Sequence, residues 1–127
     1  TKQTNTILKT LLDTNHEIIE IIKKSHLIVN TTPVGMSNHS ESSQHDHGIP
    51  LGKNIWQHLT PNTTLYDLIY TPNPTAWLTL GKKLDCETID GLEMLIQQGA
   101  ASLRHWSKSK QIPIEAMRRA AKLHLAI

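Results

Sequence analysis

At 127 residues the chain has the length of one domain, and a formal charge of +2 carried by scattered Lys and Arg excludes the dense basic face of a nucleic-acid-binding module. A hydrophobic content of 38% and a charged content of 19% suit a globular core, and no apolar run reaches the length of a membrane span or fits a signal peptide. A lone cysteine, Cys86, excludes an internal disulfide and favours a reducing compartment or indifference to redox; with neither span nor signal peptide, a cytoplasmic or plastid-stromal protein is expected. The chain begins at Thr1 rather than Met and reads as a piece of a longer protein.

Thr6–Leu12, with Ile7, Leu8, Leu11 and Leu12, reads as a strand or a helical turn, the strand preferred because Asp13-Thr14-Asn15 then offers the N-cap of a helix that runs to Lys24. In that helix Ile18, Ile19 and Ile22 share a face, with Glu17 and Glu20 early and Lys23 and Lys24 late, as the helix dipole favours. Leu27–Asn30 is an apolar burst stopped by Asn, Thr, Thr, Pro and Gly, the pattern of a short strand buried on both faces of a parallel sheet. Ser37–Gly48, rich in Ser and carrying His39, His45 and His47, reads as a surface insert.

A short helix is expected around Ile55, Trp56 and Leu59, a second strand over Thr64–Ile69, and a loop from Tyr70 to Pro74. A helix over Thr75–Leu84 would gather Trp77, Leu80 and Leu84, and Thr88-Ile89 would be a third strand. Gly91 then opens a long helix whose apolar stripe is Leu92, Leu95, Ile96, Gly99, Leu103 and Trp106. After a polar linker, Ser107–Ile112, Pro113 precedes a final amphipathic helix, Ile114–Ala126. Strands alternating with helices give an α/β class with a partial Rossmann-like parallel sheet, the carboxyl-terminal helices following it.

In open α/β sheets ligands sit beyond the carboxyl ends of the strands, which makes the Asn30–Met36 loop the first candidate for a ligand wall. Tyr70 ends the second strand on the same side, where its hydroxyl could meet a ligand or simply face the crevice. Asp67 could bind a ligand hydroxyl, but a buried Asp more often satisfies backbone N–H groups. Gly91 could let a ligand approach a helix N-terminus or merely form a tight turn. Gln98 lies on the same helix face, about 10 Å further along the axis. The three histidines of the insert could ligate zinc but have no cysteine partner and no strand to hold them. No Gly-x-Gly-x-x-Gly, phosphate-binding P-loop or nucleophile elbow occurs.

Four segments in register, Asn30-Thr-Thr-Pro-Val-Gly-Met36, Tyr66-Asp-Leu-Ile-Tyr70 with Pro72 and Pro74, Asp90-Gly-Leu-Glu-Met-Leu-Ile-Gln-Gln98 and Pro113-Ile-Glu-Ala-Met117, resemble the carboxyl-terminal half of shikimate dehydrogenase in its bacterial, cyanobacterial form. Related quinate/shikimate dehydrogenases share much of the pattern. The resemblance implies NADP-dependent, reversible reduction of 3-dehydroshikimate to shikimate by the parent enzyme. It places Thr32, Leu68 and Gly91 against the dinucleotide, and Tyr70 and Gln98 against the substrate. The catalytic lysine and aspartate, the glycine-rich phosphate loop and the residues selecting the 2′-phosphate belong, in that family, to segments that this sequence lacks, so no catalytic residue is expected here and the chain alone should not turn over substrate. The resemblance divides the chain into the end of the NADP-binding domain, residues 1–106, and a linker and helix, 107–127, directed toward the substrate domain. Glu93 stands where many members have glycine, and the insert at 37–48 is longer than usual for the family. A reading of another class is a non-catalytic remnant of the fold that binds a metal or a partner through His39, His45 and His47.

Overall fold

A computed structural model describes residues 16–36 and 48–125. Their elements are α1 (His16–Lys24), β1 (Leu27–Asn30), α2 (Lys53–Trp56), β2 (Thr64–Asp67), α3 (Ala76–Lys83), β3 (Glu87–Ile89), α4 (Leu92–Ser107) and α5 (Ile114–Leu125). The strands form a parallel sheet in the order β1-β2-β3. Ile28, Leu65 and Thr88 align across it, as do Val29, Tyr66 and Ile89 one residue further on. The expected strand at Thr6–Leu12, its Asp13–Asn15 cap and the histidines of the insert lie outside the described residues.

Side chains alternate across a sheet, so these two rows point to opposite faces. On the Leu65 face a continuous core gathers Ile22 of α1, Ile55 of α2, Leu59, Trp77 and Leu78 of α3, and Cys86. Trp77 and Leu65 are fully buried. Helix α3 crosses the sheet closely at Gly81, where a Cβ would come within 2.6 Å of Leu65 Cδ1. Thr75 caps α3, its Oγ1 accepting the Leu78 N–H.

The opposite face departs from the sequence expectation. Strand β1 is not buried on both sides: Leu27 is 56% and Val29 40% exposed, and Ile89 of β3 is also open. The residues are apolar on both faces, as a doubly covered strand requires, but among the described residues only the Ile28–Asn30 face is packed. Strand β2 is also shorter than expected, ending at Asp67 rather than Ile69. The cause is local: Asp67 Oδ1 accepts the Ile69 N–H at 3.1 Å, which turns the chain out of the strand direction.

The stripe of α4 is buried only in its first half, at Leu92, Ile96 and Ala100, whereas Leu103 is open and Trp106 is 76% exposed. Among the described residues, the far end of the helix is left uncovered. Helix α5 has no buried residue and is seated on α4 through Met117, which approaches Gly99, and through the Arg118 guanidinium. No helix among the described residues is long and apolar enough to cross a membrane.

Candidate functional site

The carboxyl ends of β1 and β2 open into a groove of about 450 Å³ lined by Thr31, Thr32, Pro33, Met36, Leu68, Ile69, Tyr70 and Thr71. Two loops make its walls, and a buried polar network holds both. Asn30, the last residue of β1, and Asp67, the last of β2, are register partners. Asn30 Nδ2 donates to Asp67 Oδ1 at 3.0 Å and to the Val34 carbonyl at 3.2 Å. Asn30 Oδ1 accepts the Thr32 N–H at 3.0 Å and its hydroxyl at 2.7 Å, folding the Thr32 loop back over the strand end.

Asp67 is fully buried and accepts from Asn30 Nδ2, from the Ile69 N–H and, through Oδ2, from Thr75 Oγ1 at 2.7 Å. Its structural reading is therefore the right one: one carboxylate ties β1, the Leu68–Tyr70 segment and the cap of α3 together. A buried carboxylate is tolerable here because three donors replace its water. The Leu68 N–H is in turn held by the Asn30 carbonyl at 3.1 Å, so the two walls are joined by backbone as well.

Gly91 is buried directly behind the second wall. Its N–H donates to the Ile69 carbonyl at 3.2 Å, and a Cβ on it would lie 2.0 Å from the Leu68 carbonyl oxygen. The close approach that glycine permits is thus to the chain's own backbone, and the amide is already spent on it. Asp90 supplies the cap of α4, Oδ1 accepting the Leu92 N–H at 2.9 Å, while Oδ2 accepts from Asn73 Nδ2 at 2.8 Å and pins the proline loop. Both X–Pro bonds of that loop, Thr71–Pro72 and Asn73–Pro74, are cis.

Of the residues singled out from sequence, Thr32, Leu68 and Tyr70 share the groove, Gly91 backs it through Leu68, and Gln98 lies exposed on α4 outside its lining. Tyr70 stands in the loop beyond β2, more than a third exposed, rather than at the strand's last position. Asn30 was named in the sequence only as the start of a loop, yet it organises that loop. The signal was present: an Asn at a strand end followed by two Thr is the composition of an Asx turn. No group of His, Cys, Asp or Glu among the described residues is arranged to hold a metal ion. Cys86 is buried, its thiol donating to the Thr60 carbonyl at 3.3 Å and pushed up in pKa by burial and then by neighbouring Asp85.

Glu93 turns toward α5. Arg118 grips it with two parallel bonds, Nε to Oε2 at 2.9 Å and Nη2 to Oε1 at 2.7 Å, and Gln97 adds a third donor. These contacts, the Arg118 guanidinium foremost, hold the Glu93 carboxyl down to about 2. Arg118 also bonds Glu115, one turn before it on α5.

Comparison with known proteins agrees with this geometry. A family model described as the Shikimate 5'-dehydrogenase C-terminal domain matches residues 91–122, which span α4 and most of α5. A shikimate dehydrogenase (NADP(+)) of Prochlorococcus marinus subsp. pastoris is 45% identical over 118 residues, covering 93% of this chain and 40% of that protein. The chain thus spans about two fifths of the length of the curated relatives it matches. Among solved structures, a shikimate dehydrogenase in complex with NADP+ superposes with a TM-score of 0.64 at 31% identity, over 78% of this chain and 31% of that one. Another, from Listeria monocytogenes in complex with shikimate and NAD, gives 0.65 at 25% identity, over 82% and 33%. In sequence and in fold, the chain is similar to the carboxyl-terminal portion of shikimate dehydrogenases.

Proposed function

We propose that this chain forms the nicotinamide-side wall of a dehydrogenase cleft, within an enzyme that reversibly reduces 3-dehydroshikimate to shikimate with NADP. The observation that carries the reading is the groove: Thr32, Leu68 and Tyr70, set apart in sequence, meet at the carboxyl ends of adjacent parallel strands, where α/β sheets bind their ligands. Its lining fits a flat heteroaromatic ring with a polar edge, since Pro33, Met36, Leu68 and Ile69 are apolar and the threonines supply a few polar groups. The dinucleotide, when bound, supplies the hydride; the residues here bind and orient it.

Leu68 lies against the ring side, Thr32 toward the nicotinamide ribose, and Gly91 serves the cofactor by fixing Leu68 from behind. Tyr70, at the mouth of the groove, and Gln98, on α4, address the substrate's hydroxyls. The value of so rigid a wall is alignment: hydride transfer needs donor and acceptor carbons held near contact distance, and preorganisation removes that cost from the reaction step. The linker that follows α4 and helix α5 are directed toward the substrate domain.

The test is a chimera in which this chain replaces the matching segment of the Prochlorococcus marinus relative. The chimera should reduce 3-dehydroshikimate with NADPH, and Tyr70→Phe in it should raise KM several-fold, as loss of one ligand hydrogen bond does. The 127-residue chain alone should show no turnover above background. A folded, dinucleotide-binding chimera without activity would overturn the assignment.

A further inference from the structure

The polar network behind the groove fixes the direction of every hydrogen bond in it, including one at the ligand surface. Asn30 is 3% exposed, and its Nδ2 faces the Asp67 carboxylate and the Val34 carbonyl. Both partners can only accept, so the amide cannot be flipped and Oδ1 must point at Thr32. Oδ1 can only accept, and it receives the Thr32 N–H at 3.0 Å and the Thr32 hydroxyl at 2.7 Å. The hydroxyl proton is therefore committed inward. Thr32 Oγ1 also accepts the Val34 N–H at 3.3 Å, and a hydroxyl oxygen has one further acceptor position. Thr32 is exposed and lines the groove.

We infer that Thr32 is a specificity-determining residue that presents its hydroxyl to the groove as an acceptor only, so that the ligand group facing it must be a hydrogen-bond donor. This deepens the proposed function and rests on it. On a nicotinamide nucleotide the donors within reach of such a wall are of two kinds, the carboxamide N–H₂ and the ribose hydroxyls. A carboxylate or phosphate oxygen at the same place would meet an acceptor with an acceptor. Asn30 and Asp67 act as positioning residues at one and two removes: they touch no ligand, but they set the polarity of the group that does.

The experiment uses the full-length chimera and three probes: NADP, its analogue with a carboxylate in place of the carboxamide, and its analogues lacking a hydroxyl on the nicotinamide ribose. Dissociation constants are measured by calorimetry on the unsubstituted protein and on the Thr32→Ser and Thr32→Val variants, with melting temperatures recorded alongside. One class of analogue should bind about tenfold more weakly than NADP to the unsubstituted protein and to Thr32→Ser, the size of one lost, unreplaced hydrogen bond. In Thr32→Val, which keeps the backbone bond to Asn30, that discrimination should shrink to about twofold or less, with little change in melting temperature. The analogue that loses affinity tells which donor faces Thr32. Equal binding of all probes, or discrimination that survives Thr32→Val, overturns the inference and leaves the proposed function standing. Failure of the folded, unsubstituted protein to bind any probe overturns both.

Discussion

The end of β2 and the α4–α5 pair are joined by different physics. At the β2 end, one fully buried carboxylate meets three donors, and the Asn30 amide meets further partners, Thr32 and Val34, in the loop after β1. At α4–α5, an exposed Glu93 meets an Arg118 that is only partly shielded, and α5 buries no residue at all. Three donor groups reach each carboxylate, but the bonds differ in value. In a water-excluded site an unmade bond leaves a group with no replacement, whereas at the surface water takes the partner's place. The groove is therefore built from the part of the molecule that is costly to rearrange, and α5 is attached by the part that is cheap to release.

The sharpest break of this contrast is Asp67→Ala. It leaves the Ile69 N–H and the Thr75 hydroxyl without their acceptor and removes one of two acceptors from Asn30 Nδ2. At about 1–3 kcal/mol for each buried, orphaned donor, the loss should total about 3–5 kcal/mol in urea unfolding. A loss below about 1 kcal/mol would mean that water reaches the site and that the contrast is false. Next in size is Gly91→Ala. Its methyl group would fall 2.0 Å from the Leu68 carbonyl oxygen, a backbone atom that no rotamer change can move aside. The expected cost is about 3 kcal/mol, at the upper end for an overpacked site. The backbone resonances of Leu68 and Tyr70 should move with it, because α4 must back away from the wall they form.

Where the sequence was legible, a local rule and the tertiary structure agreed. The alternation of helices with short apolar runs predicted the parallel sheet, and the helices expected from Thr75 and Gly91 begin one residue later, at Ala76 and Leu92. The resemblance set Thr32, Leu68 and Gly91 against a dinucleotide and Tyr70 and Gln98 against a substrate; of these, Thr32, Leu68 and Tyr70 line one groove and Gln98 lies outside it. What stayed hidden depended on neighbours distant in the chain. Asp67 ends β2 through its own side chain, a competition between turn and strand that hydrophobic pattern does not register. The partnership of Asn30 with Asp67 spans 37 positions of sequence. At Gly91 the sequence shows only the missing side chain, not that the Leu68 backbone occupies the space a Cβ would take. The exposure of Leu27, Val29, Leu103 and Trp106 could not be read either, because apolarity tells that a surface can be covered and not whether anything covers it.

The smallest effect tests the other half of the comparison. Glu93 is held at about 2, below its ordinary 4.5, chiefly by the Arg118 guanidinium. A carboxyl depressed in the folded state stabilises it fully above its unfolded value, and the contribution is lost as pH falls from about 4.5 through about 2. Because Glu93 is solvent-exposed and salt screens such a pair, global stability should barely register the change. The local seat of α5 should register it clearly, and the structure provides a reporter: the Met117 methyl lies against Gly99 of α4, close enough to sit 3.3 Å from where a Cβ would be. In the native protein its resonance should hold steady above pH 5 and shift toward an exposed value over the acid window. In Glu93→Gln it should already be partly shifted at pH 7 and flat through that window, while the melting temperature stays close to that of the unsubstituted protein. A methyl resonance unchanged by Glu93→Gln would show that packing of Met117 on Gly99, and not the ion pair, seats the helix. Helix α5 would then belong with the rigid part of the molecule, and the division between the two regions would have to be redrawn.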